Sequence, residues 1–143
     1  MAITTAMCTS FKQELMQGLH NFTNSSGNAF KMSLYTSSAT LDASTTAYTA
    51  TNEVANGNGY TTTGATLTNV TPSTSGTTAF TDFADVTWST ASFTARGCLI
   101  YNDTNGDRAV SAHDFGSDKT ASGGDFQVTF PAADASNAII RIA

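Results

Sequence analysis

Asp103, Asn105, Asp107, Ser111 and Asp114 place oxygen donors at the first, third, fifth, ninth and twelfth positions of one stretch, Asp103-Thr-Asn-Gly-Asp-Arg-Ala-Val-Ser-Ala-His-Asp114. A hard cation such as Ca²⁺ collects six to eight oxygens, and donors at this spacing can wrap around one point. The same residues support a second reading. Asn, Asp and Gly are what a tight turn needs, and Asn105-Gly106 lies between two β-prone runs, 98–102 and 108–115, as in a hairpin. His113-Asp114 offers a third possibility, a base and its orienter with Ser111 or Ser117 as nucleophile. Adjacent residues on a strand face opposite ways, however, so His113 and Asp114 would not meet.

Over its twelve positions the acidic stretch resembles the calcium loop of EF-hand and dockerin modules. Arg108 stands where that loop turns on Gly, Asp114 is shorter than the usual bidentate Glu, and residues 98–102 read as a strand instead of a helix. These departures favour the ordinary turn. No Gly-x-Ser-x-Gly elbow is present, and His20, His113, Cys8 and Cys98 have no metal-binding spacing. The expectation is a chain without enzymatic activity and without a cofactor, Ca²⁺ excepted. Cys8 and Cys98 read as two buried thiols, and His20 as a cation suited to a helix C-terminus. Arg96 reads either as the ionic partner of Asp82 or Asp85 or as an interface anchor. Tyr48, Tyr60, Trp88 and Tyr101 suggest sugar stacking only if they share one face, and Trp88 suits a core better.

The elements that would position these groups are β. Of the 143 residues, 40% are hydrophobic and 12% charged, against about 25% charged in an average protein. The length suits one domain over 1–143 with its own core. A net charge of −5 and six Lys and Arg argue against nucleic acid and an anionic membrane surface as partners. The first residues lack a signal-peptide pattern, no run approaches the about 20 apolar residues of a membrane span, and folding in a cytosol is expected.

Ser10, with Gln13 three residues on, forms a capping-box pattern, and Phe11, Leu15, Leu19 and Phe22 then recur at helical spacing. This predicts one helix over about 10–21, its stripe packed on a sheet or docked on a neighbouring subunit. Phe30, Met32 and Leu34 alternate as a strand. A Thr/Ser/Ala-rich segment over about 36–63 reads as a long loop or a polar arm that orders on a partner. Further strands follow over 65–70 and 80–88. Two more flank the 93–115 hairpin turn; then come Phe126–Phe130 beyond a turn at Ser122-Gly123-Gly124, and Ile139–Ile142. Leu99 and Tyr101 on one side and Cys98 and Ile100 on the other predict a hairpin arm covered on both faces. Strands at this spacing predict a mainly β fold, an antiparallel β-sandwich of jelly-roll or Ig-like type with one short N-terminal α-helix.

Phe11 to Leu15, His20 to Phe22, Lys31 to Leu41, Tyr48 to Glu53, Phe93 to Asn102, Asp114 to Thr120 and Phe126 to Ile142 together resemble small β-rich virion structural proteins of tailed double-stranded DNA bacteriophages. The resemblance implies a particle component without catalysis. Within that group the chain is most similar to capsid decoration or cement proteins, which implies a virion location after assembly in the host cytoplasm. Its partner would be the major capsid protein or another virion protein, and it would form a homo-oligomer, a dimer or trimer. Phe11, Leu15, Leu19, Arg96 and Ile100 are the interface candidates. The alternative is a tail, neck or fibre component, including a receptor- or glycan-binding module.

Overall fold

The computed structural model describes residues 2–143. A two-residue strand, β1 (Ala6–Met7), leads into the helix α1 (Thr9–Met16). The helix is shorter than its apolar repeat suggests, because Gly18 at φ 71° turns the backbone out of helical register. Cys8, not Ser10, holds the N-cap position, without a side-chain cap, and Ser10 Oγ is buried with no partner. Leu19 and Phe22 therefore lie beyond the helix. Phe22 still reaches Phe11, with ring centroids 6.0 Å apart, so the stripe packs within its own domain.

The larger sheet is built on β6 (Val86–Asn102) and β7 (Arg108–Val128), antiparallel strands joined by the Asp103–Asp107 turn. Next to β6 lies β2 (Phe30–Tyr35), and beyond it the short β3 (Ala65–Thr66), giving the order β1-β7-β6-β2-β3. The smaller sheet has the order β4-β5-β8, from β4 (Asn69–Ser75), β5 (Thr78–Phe83) and β8 (Ile140–Ile142). The fold is thus mainly β, with antiparallel sheets in a sandwich-like pair and one short helix. Pro72 is accommodated in β4 because that strand is an edge and the pairing slips between Val70 and Ser73.

Ser122-Gly123-Gly124 does not end a strand as expected. Gly123, at φ 78°, absorbs a register shift, and β7 runs on to Val128. Beyond Ala95 and Lys119 the hairpin continues as a two-stranded ribbon with no third strand beside it among the described residues.

Gly97 to Asn102 are buried on both faces, as the apolar run predicts. Cys98 and Ile100 share a face with Met32 and Leu34. One core cluster joins these residues to Phe11, Phe22, Phe30, Phe83, Phe130 and Ile140. Phe22 and Phe30 stack at 4.4 Å. The opposite face is roofed by the 36–63 segment, which is a folded cover and not a free arm. Tyr48 N donates to Asp107 O at 2.9 Å, Ala109 N to Thr46 O at 3.1 Å and Val54 N to Leu34 O at 2.9 Å. Its apolar anchors Ala39, Leu41, Val54 and Tyr60 are all buried.

Candidate functional site

The acidic stretch closes the hairpin as a turn, with Gly106 and Asp107 both at positive φ. Its oxygens do not converge. β7 begins at Arg108, so Ser111 is about 10 Å and Asp114 about 20 Å along an extended strand at roughly 3.3 Å per residue. Asn102 Oδ1 accepts from Asn105 N at 3.0 Å, Asn105 Nδ2 donates to Leu19 O at 2.8 Å, and Asp103 lies 3.7 Å from Lys31 Nζ. The calcium-loop reading is corrected on this ground: strand pairing separates Asp103, Asn105 and Asp107 from Ser111 and Asp114. Among the described residues no three His, Cys, Asp or Glu side chains form a metal-holding group.

Behind the turn, Glu14 on α1 joins two basic groups. Its Oε2 accepts from Arg108 Nη1 at 2.6 Å and its Oε1 faces His20 Nε2 at 3.2 Å. Asn102 Nδ2 donates to His20 Nδ1 at 3.0 Å and to Asn28 Oδ1 at 3.0 Å. His20 is therefore held as a neutral ring that donates from Nε2 and accepts at Nδ1. Burial lowers its pKa, and this outweighs the Glu14 bond that raises it. The expectation of a helix-terminal cation fails because the helix stops at Met16.

Farther along β7, Ser111 Oγ lies 2.8 Å from His113 Nε2. Burial drives the His113 pKa down to about 4. Asp114, on the other face, pairs with Arg96 instead, Nε to Oδ1 at 2.9 Å, and its hydrogen bond from Arg96 lowers its pKa. Arg96 thus has neither of its expected partners. Asp82 accepts from Phe83 N and Ile139 N, and Asp85 from Phe130 N, so both are spent on backbone. Among the described residues no orienting carboxylate reaches the Ser111–His113 pair.

All four tyrosines have internal roles. Tyr48 and Tyr60 hydroxyls donate to the two oxygens of Glu53 at 2.7 and 2.6 Å, Thr63 N adds a bond at 2.8 Å, and Tyr35 OH donates to Thr49 O at 2.7 Å. Tyr101 OH donates to Thr63 O, and its ring stacks on Tyr48 at 4.9 Å. Trp88 is buried beside Tyr60 and Phe126. These rings hold the 36–63 cover to the sheet and present no stacking platform.

Two surfaces are left outward. One is the ribbon, whose exposed Thr87, Ser89, Ser92, Thr94, Thr120 and Ser122 make a hydroxyl face. The other is an apolar groove of about 170 Å³ between α1 and the smaller sheet, lined by Leu15, Phe22, Pro72, Phe80, Ile140 and Ile142. Met16 beside it is 84% exposed and Ile142 59%. Of the interface candidates, Leu15 lines this groove. Phe11 and Ile100 are corrected to core residues at 0% exposure, Leu19 is partly buried with its carbonyl tied to Asn105, and Arg96 is committed to Asp114. The groove escaped sequence reasoning because its residues come from three stretches distant along the chain: α1 with the loop after it, the β4–β5 pair, and β8.

No protein-family model matches this chain, and neither a curated protein nor a solved structure matches it significantly.

Proposed function

We propose that the chain is a structural virion protein, a capsid decoration or cement protein that binds the outer head surface and stabilises contacts between major capsid subunits. The apolar groove carries this reading. Leu15, Phe80 and Ile142 put apolar surface outside while the convergent polar sets around Glu14 and Glu53 are spent on internal bonds. A surface that gains free energy by being covered, repeated over a lattice, turns many weak contacts into a stable coat. The resemblance to phage virion proteins supports the same assignment, with the major capsid protein as partner and a dimer or trimer as the bound unit. The glycan-binding alternative loses its support because Tyr48, Tyr60, Trp88 and Tyr101 are occupied internally.

Quantitative mass spectrometry of purified particles tests the proposal. Hundreds of copies per particle are expected, with heads lacking the protein less resistant to heat and low salt. A dozen copies or fewer would move it to tail, neck or fibres; absence from the particle would overturn the virion reading.

A further inference from the structure

Met32, Cys98 and His113 line one half-open pocket of about 190 Å³ together with Phe115, Val128, Thr129, Phe130, Pro131 and Ile139. Cys98 and His113 are direct cross-strand partners, so their Cβ atoms lie about 5 Å apart on the same face. Met32 pairs with Ile100, which places it on that face too, diagonal to Cys98. A thiol, an imidazole and a thioether in a largely apolar pocket are the donors that soft ions select. We propose that Met32, Cys98 and His113 form a site for copper(I), for which silver(I) is a redox-inert equivalent.

The surroundings fit that chemistry. When His113 donates from Nε2 to Ser111 Oγ, its Nδ1, which bonds to no described protein group, keeps a free lone pair. A second-shell bond of this kind fixes ring orientation in metal sites. His113 is neutral at pH 7, so no proton has to leave it. Cys98 does lose one. The ion replaces hydrogen on sulfur, the S–H bond breaks as the S–metal bond forms, and one proton goes to solvent with no change of oxidation state. Cys8 lacks such a neighbourhood, its Sγ facing Asp42 O at 3.9 Å. The inference is independent of the virion reading.

The test is a titration of the whole chain, carrying Cys8→Ala to remove the second thiol, with silver(I) and, under anaerobic conditions, with copper(I) held by a competing chelator. Binding of one ion, release of one proton and a rise in melting temperature are expected. Cys98→Ala should abolish all three. His113→Gln and Met32→Leu, which keep the Cys98 thiol, should each weaken binding at least tenfold, and Ser111→Ala should weaken it in the same direction. No stoichiometric binding would overturn the proposal. So would affinities unchanged in His113→Gln and Met32→Leu, which would reveal a thiol adduct without a site; these two variants decide the matter if Cys98→Ala does not fold.

Discussion

Replacing Glu14 by Gln removes the charge on which the helix-to-hairpin contact rests. The Glu14 side chain is 8% exposed and that of His20 0%, whereas Arg108 keeps 41% of its side-chain exposure. A hydrogen bond to a charged group is worth about 1.5–3 kcal/mol, and the two Glu14 bonds differ in strength: 2.6 Å to Arg108 and 3.2 Å to His20. Solvent screening at Arg108 lowers its share, so the expected loss is about 2 kcal/mol. With roughly 2.1 cal/mol/K of unfolding entropy per residue over the chain, that loss lowers the melting point by about 7 °C. Urea unfolding of the parent, Glu14→Gln, Arg108→Gln and the double variant completes a cycle, with an expected coupling of about 1 kcal/mol. A coupling below about 0.3 kcal/mol would refute the reasoning, since neighbours that do not interact add within that margin.

Three further outcomes follow from burial and backbone geometry. His113 and His20 are both harder to protonate folded than unfolded. The stability they contribute is full above pH 6.5 and falls as the pH drops toward 4, where His113 itself charges. Denaturant midpoints measured from pH 7.5 to 4 should show that fall and a shallower one in His113→Gln, while Asp82, its carboxyl raised by burial, contributes in the opposite sense. Both thiols should stay silent toward an aromatic disulfide at pH 8 and react together on unfolding, because burial holds Cys8 at about 11 and Cys98 at about 12. Gly64→Ala should be destabilised by at least about 2 kcal/mol, because the new Cβ at φ 85° would overlap the Met32 carbonyl. Gly76→Ala, at φ 59° with nothing within 4 Å, should cost only about 1 kcal/mol in the same urea assay.

Local patterns in the sequence carried most of the fold. Alternation in Phe30 to Tyr35 and bulk on both sides of Cys98 to Tyr101 named a half-buried and a doubly buried strand; the second is present, whereas β2 is buried on both faces because Ser33 and Tyr35 lie under the 36–63 cover. Where the sequence misled, a backbone device cancelled a local signal. Gly18 cut the helix before Leu19, and Gly123 let β7 pass through a turn signal. Register was the least visible level. A hairpin closed between Asn102 and Arg108 would place Cys98 opposite Ala112. One extra residue, between Tyr101–Ala109 and Ile100–Ser111, shifts the partner to His113 and turns it to the core face. That single bulge brings His113 opposite Cys98 in the Met32, Cys98, His113 cavity, and no residue type announces it. The 36–63 cover was obscure for a different reason. Its bonds to the sheet run largely through backbone amides and tyrosine hydroxyls, which composition alone does not orient.

The ribbon formed by Val86 to Ala95 and Lys119 to Val128 has a mechanical consequence. A pull that separates Val86 from Val128 meets the rungs of the ladder one after another, and it must also withdraw Val86, Trp88, Ala91 and Phe126 from the core cluster as it goes. Peeling reaches a barrier at the Ala95–Gly97 register break. There the Arg96–Asp114 pair clamps the strands, β1 and β2 flank the hairpin, and several strands must give way together. The hairpin is therefore held by single rungs and one layer of buried side chains at its Val86–Val128 end and by whole flanking strands nearer its turn, so opening the ribbon exposes core before the clamp is reached.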